Sequence, residues 1–304
     1  MEESLINEDE MFRISYYTNL SEEEITQKII DAMDNPIKVD KFCDDYRVFL
    51  DEGKTERECI RETVKMAIEA GYRDLNEMIA NGETLKTGDA VYAVYMDKTI
   101  ALFRIGEEPL ENGMNILGAH VDSPRIDLKQ NPLYEDNGVA YLDTHYYGGV
   151  KKYQWVTLPL AIHGVIVKKD GTTVEVNIGE EEDDPVFFVS DLLIHLSRDQ
   201  MGKKASEVIG GEDLDIMLCG KPLADEEKEP VKAALLKILK DQYDIEAEDM
   251  VSAEIEAVPA GPARDYGLDR SMILGYGHDD RVCAYASLEA LFGLEEVPEY
   301  TCCC

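Results

Sequence analysis

Two apolar runs, Met114 to His120 and Ser271 to Tyr276, each read as a buried strand that stops in a polar cluster. The first opens into Gly118-Ala-His-Val-Asp-Ser-Pro-Arg-Ile-Asp-Leu128, the second into Gly277-His-Asp-Asp-Arg281. Side chains two apart along a strand share a face, so His120 and Asp122 are expected side by side at a strand's carboxyl end. An imidazole there can bind a metal while the carboxylate fixes its tautomer or lies beside the reacting water. A surface His and Asp in a turn stopped by Ser123-Pro124 is the plainer alternative for so short a pattern. The second run weighs against it. Two strands that each end in such residues, on either side of an insertion, can bring them into one crevice of an α/β sheet. A two-metal hydrolytic site needs a bridging carboxylate. Asp279 is the candidate bridge and His120 a terminal ligand, whereas the His278 side chain is expected to point away from Asp279.

Composition removes other classes. Against 30 basic residues stand 64 acidic ones, a formal charge of −34. Nucleic acid and anionic membranes both require basic surface, so neither is an expected partner. No stretch approaches ~20 consecutive apolar residues. The acidic start, Met1-Glu-Glu-Ser4, lacks the order of a signal peptide, so a cytoplasmic location is expected. Seven cysteines without a Cys-x-x-Cys pair argue for reduced thiols. Cys302-Cys303-Cys304 reads as small apolar residues starting a buried strand, since adjacent residues face opposite sides and chelate poorly together.

Along the chain, a Ser21 capping box predicts a helix to about Met33. Helices follow over Val39–Leu50, with Phe42, Tyr46, Phe49 and Leu50 as its stripe, and over Glu56–Ala70, with Ile60, Val64, Ala67 and Ile68. Strands 90–96 and 99–105 flank a tight turn at Asp97-Lys98. Residues 131–133 and 136–138 are turn-rich, and the glycines after Tyr147 suggest a close backbone approach. His145, among tyrosines, is open to reading as a ligand or as a hydrogen-bonded structural residue. Strands are expected at 160–168, 172–177, 186–189 and 250–258, with helices at 191–198, carrying His195, and 231–243. Pro259-Ala-Gly-Pro262 is a firm break. The division is therefore 1–149, an inserted domain at 150–265, and 266–304, where a last helix runs from Val282 to Leu291.

At these residues the sequence resembles the M18 family of zinc aminopeptidases. The resemblance is carried by Gly118-Ala-His-Val-Asp-Ser-Pro-Arg125, Thr144-His-Tyr-Tyr-Gly-Gly149 with Lys151-Lys-Tyr-Gln-Trp155, and Asp279-Asp-Arg-Val-Cys-Ala-Tyr285. It implies an α/β di-zinc peptidase-type catalytic domain interrupted by a β-rich dimerisation domain. It further implies peptide substrates, two zinc ions per intact subunit, and a homo-oligomer, a dodecamer in the family. By motif, His120 binds zinc, Asp122 orients it, Asp279 bridges the ions, and a cis peptide follows at Asp279-Asp280. The family also lends a residue of the insertion to a neighbouring subunit's site, for which His195 is the candidate. Cobalt or manganese suit such ligands as well.

One departure stands out. Family members continue, after the strand matching Tyr300 to Cys304, into a Glu-Glu pair, one a general base and one a ligand, with a further Asp and His. None of these lies in the 304 residues. The expectation is a fragment with an incomplete catalytic domain and little or no peptidase activity of its own. The alternative is a truncated, non-catalytic oligomerisation partner. A different di-zinc hydrolase is the third reading, opposed by the Tyr-Tyr-Gly-Gly and Lys-Lys-Tyr-Gln-Trp segment.

Overall fold

The computed structural model describes residues 36–294 and 300–304, with Ser21 and Gln27 besides. The helix expected from Ser21 to Met33 falls outside the described residues. Contacts divide the chain into Met1–Val48 and Phe49–Cys304, and the second unit holds all the described strands and both polar clusters.

Helix α1 (Pro36–Glu52) leads into α2 (Glu56–Glu69) through a capping box, Thr55 accepting from the Glu58 amide and Glu58 reaching back to Thr55. The face α2 buries is Cys59, Ile60, Thr63 and Ala67; Ile68, expected in its stripe, is exposed. Next come β1 (Arg73–Asp74), α3 (Leu75–Ala80), β2 (Ala90–Tyr95) and β3 (Thr99–Arg104). The β2–β3 turn centres on Met96-Asp97, both at positive φ, one residue before the expected place. The Lys98 amide closes the turn on the Tyr95 carbonyl at 3.2 Å. Strands β4 (Met114–Leu117), β5 (Arg125–Asp136), β6 (Val139–Tyr147), β7 (Leu160–Val167), β8 (Thr173–Ile178), β9 (Phe188–Val189) and β10 (Ile216–Cys219) precede α4 (Pro230–Tyr243). Then follow β11 (Ala253–Pro259), β12 (Arg264–Tyr266), β13 (Met272–Leu274), α5 (His278–Phe292) and β14 (Tyr300–Cys303).

The strands form a mixed α/β architecture. One sheet runs β1-β2-β3-β14-β4, with β14 antiparallel to β3 and parallel to β4. Seven strands, β8-β7-β11-β5-β6-β10-β9, make an antiparallel sheet. Because β5 and β6 belong to it, this sheet extends across position 150. Ile126, Leu142, Leu160, Ile166, Leu214 and Ile216 fill its core, each such side chain worth roughly 1.5–3 kcal/mol of burial. Helix α4 packs Val231 and Leu235 on Ala140.

Several sequence expectations need correction. Both strands that lead into the polar clusters form, but neither is buried. Among the described residues strand β4 is an edge, with Ile116 exposed, and β13 pairs only with β12, exposing Leu274. Their apolar composition reflects potential burial, and nothing among the described residues covers them. Residues 131–133 are not a turn: β5 continues through them, absorbing Asn131 and Pro132 in a register shift between Leu128 and Leu133. Residues 191–198 form turns rather than a helix, and Leu193, Ile194 and Leu196 lie exposed. The apolar spacing there suits a helix, but among the described residues no partner surface buries its face. Residues 247–252 are a 3₁₀ turn, so β11 starts three residues later than the alternation suggests. No helix among the described residues is long and apolar enough to cross a membrane.

Candidate metal centre

Strand β4 ends at Leu117, so His120 and Asp122 stand on an irregular segment where strand alternation no longer governs. They meet all the same. The His120 Nδ1 donates to the Asp122 carbonyl at 3.0 Å and lies 3.2 Å from Asp122 Oδ1. In the neutral ring a proton on Nδ1 leaves the Nε2 lone pair facing outward, and Asp279 Oδ1 is 3.5 Å from that nitrogen. Asp279 is 90% exposed, and His278 turns the other way, its Nε2 donating to the Ile273 carbonyl at 3.2 Å.

The two segments are fastened together by other side chains. Ser123 Oγ donates to the Asp279 carbonyl at 2.8 Å, and Tyr276 OH to the Pro124 carbonyl at 3.1 Å. Arg281, 1% exposed, donates through Nε to Val121 O at 3.0 Å and through Nη2 to Lys54 O at 2.9 Å. Gly277, at φ +90°, leaves room for that guanidinium, since a Cβ there would lie 2.2 Å from Nη1. The Asp279–Asp280 peptide bond is cis. Helix α5 takes helical geometry only after these two aspartates.

Below the site lies Arg125, buried and bonded to Glu56 and Asp127 at 2.8 Å and facing Glu256 at 3.1 Å. Tyr147, opposite Arg125 in the β5–β6 register, lays its ring 4.0 Å from the guanidinium and donates its hydroxyl to Asp122 Oδ2 at 2.9 Å. A cleft of about 360 Å³ opens beside His120 and Asp122, lined also by Tyr147, Thr63, Leu288 and Cys303.

Burial alone would lower the His120 pKa. The hydrogen bond to the Asp122 carbonyl and the charges of Asp122, Asp280 and Asp279 more than offset it, so the pKa is raised. A divalent cation would find that same negative field. Tetrahedral zinc at ordinary bond lengths holds its ligand atoms about 3.4 Å apart. The 3.5 Å between His120 Nε2 and Asp279 Oδ1 matches that edge, so the pair fits one shared ion. Among the described residues no group of three or more His, Cys, Asp or Glu side chains is placed to hold an ion. His145 is exposed on β6, its Nδ1 3.5 Å from the Tyr146 carbonyl, and His195 is exposed on its turn.

Sequence reading brought His120, Asp122 and Asp279 together but gave no part to Ser123, Tyr147, Tyr276 or Arg281. Their signal was present in the motifs, yet a hydroxyl or guanidinium that fastens a backbone carbonyl has no spacing of its own.

The family model for aminopeptidase I zinc metalloprotease (M18) matches residues 49–301. A probable M18 family aminopeptidase 1 of Clostridium acetobutylicum is 60% identical over 260 residues, 85% of this chain and 56% of the relative. The crystal structure of an M18 aminopeptidase from Thermotoga maritima superposes with a TM-score of 0.82 at 44% identity, covering 88% of this chain and 57% of that one. For aminopeptidase I from Clostridium acetobutylicum the TM-score is 0.79 at 55% identity, over 86% and 57% of the two chains. The chain thus spans well under two thirds of the length of these relatives.

Proposed function

Since the chain belongs to the M18 family of zinc metallopeptidases, we propose that it carries part of a two-metal aminopeptidase centre that removes N-terminal residues from peptides. The observation that carries the reading is the convergence of His120 Nε2 and Asp279 Oδ1 at 3.5 Å. His120 would hold one ion terminally and Asp279 would bridge two, zinc being the family's metal and cobalt or manganese admissible. When bound, such ions supply Lewis acidity at the scissile carbonyl and lower the pKa of water. This chain's own residues do the positioning: Asp122 keeps the His120 proton on Nδ1, and Ser123 and Arg281 fix the two ligand segments against each other.

Residues 1–149 and 266–304 serve as catalytic domain and 150–265 as the dimerising insertion, whose sheet borrows β5 and β6. A homo-oligomer, dodecameric in its full form, is the proposed assembly. The exposed Leu192, Leu193, Ile194 and Leu196 around His195 support an interface there, with His195 reaching a neighbour's site. The cytoplasm is the proposed location. Two convergent donors fall short of the three protein ligands that catalytic zinc sites use, and a general base adds ~10²–10⁴-fold in rate. The 304-residue chain alone is therefore proposed to be inactive.

The test assays amino-acyl p-nitroanilides with added zinc or cobalt, for this chain and for its coding region read onward past Cys304. The reading expects release only by a longer chain that supplies a Glu-Glu pair. Robust metal-dependent release by the 304-residue chain overturns its inactivity. A stop codon at that point favours the non-catalytic oligomerisation partner instead.

A further inference from the structure

We propose that Tyr147 is a positioning residue for the metal centre: its phenol fixes the Asp122 carboxylate, which keeps the His120 proton on Nδ1 and Nε2 bare toward Asp279. The inference rests on the reading of His120 and Asp279 as metal ligands.

A carboxylate has two oxygens and can turn about its χ2 bond. Asp122 is partly open to solvent, its side chain 36% exposed, so water competes for both oxygens. Tyr147 OH occupies Oδ2 at 2.9 Å, which leaves Oδ1 facing His120 Nδ1 at 3.2 Å. A hydrogen bond to an ionised acceptor is roughly twice as strong as a neutral one, so this contact sets the rotor. The Asp122 backbone carbonyl also receives the Nδ1 proton, which makes the phenol's contribution partial.

The phenol is itself held in place by the fold. Strands β5 and β6 pair Arg125 directly with Tyr147, and facing residues of an antiparallel pair share a side of the sheet. The guanidinium, clamped by Glu56, Asp127 and Glu256, lies under the ring and fixes its plane. Next in sequence, Gly148 at φ +74° comes so close to Pro124 that even a Cβ would touch it at 3.4 Å. That approach brings the end of β6 against the segment bearing His120 and Asp122. A tyrosine used only for packing would need no such aim of its hydroxyl.

The experiment uses the 304-residue chain with ¹⁵N-labelled histidine. Long-range imidazole ¹⁵N spectra, at a pH where His120 is neutral, report which nitrogen carries the proton. Cobalt or zinc titration followed at the His120 resonances gives the affinity. Wild type should show the Nδ1–H tautomer. In Tyr147→Phe a fraction should move to Nε2–H and the affinity should fall about threefold to tenfold, below the 10–100-fold usual when a ligand's direct partner is lost. The thermal melt should stay unchanged, as a retained ring keeps its packing. Asp122→Asn, a near-isosteric second variant, should move the tautomer in the same direction. An unchanged tautomer and affinity in Tyr147→Phe overturns the positioning role. Absence of any metal response at His120 in wild type overturns the ligand reading instead, while the tautomer comparison still judges Tyr147.

Discussion

His163 on β7 is 1% exposed, and both ring nitrogens face carboxylates: Nδ1 to Glu58 Oε1 at 2.9 Å and Nε2 to Glu180 Oε1 at 3.1 Å. Ionised carboxylates only accept hydrogen bonds, so the ring donates twice and is an imidazolium. Burial opposes that charge, but the bonds to Glu180 and Glu58 and their charges more than offset it, pushing the pKa from 6.5 to about 9. At about 1.4 kcal/mol per unit, the rise contributes about 3 kcal/mol of stability. The sign follows from a folded pKa above the unfolded one. The contribution is fully present below pH 6.5 and is lost as pH rises through about 9. Glu58 and Glu180 report the same interaction from the other side. Burial raises their pKa values, but the bonds to His163 prevail and lower both below 4.5, so the acid limb of the loss lies below that value. His163→Gln removes the cation and leaves two carboxylates facing each other, where breaking a buried pair costs about 3–5 kcal/mol. Urea unfolding of both proteins should show a gap of about 3 kcal/mol at pH 6 that shrinks to under about 1 kcal/mol by pH 10. Taking the difference removes what other titrating groups contribute equally to both. A gap independent of pH, or one under about 1 kcal/mol at pH 6, would refute the imidazolium.

Two glycines give further tests. A Cβ on Gly164, at φ +141°, would lie 2.0 Å from the Glu254 carbonyl oxygen on β11. Gly164→Ala should destabilise by at least about 2 kcal/mol, read as a lower melting temperature by circular dichroism; an unchanged melt contradicts the close β7–β11 approach. In Gly277→Ala the new methyl meets Arg281 and should cost about 1–3 kcal/mol. Because Arg281 holds Val121, divalent affinity at His120 should fall as well, and retention of both stability and affinity would show that Arg281 fastens nothing.

Local chemistry made much of this legible. The helix at 231–243, the neighbouring strands at 160–168 and 172–177 and the start of α2 depend on residues within a few positions of one another, and each forms. The strands leading into His120 and Asp279 were also visible as apolar runs. Their burial was not, because it depends on what lies beyond an edge rather than on the run itself. The 191–198 segment failed for the related reason that apolar periodicity makes a helix only where its face is covered. At the centre, His120, Asp122 and Asp279 were legible because metal chemistry restricts residue type. Arg281 and Tyr147 were not, since their partners are a carbonyl and a carboxylate 160 and 25 residues away.

The convergence of His120 and Asp279 on one divalent ion is the central claim. Titrating the 304-residue chain with cobalt, while following visible absorption and the His120 resonances, tests it most directly. Binding should be weak, near one ion per chain, and lost in both His120→Ala and Asp279→Asn, with His195→Ala and His145→Ala unaffected. Equal binding by wild type and Asp279→Asn, or none by wild type, would contradict the claim.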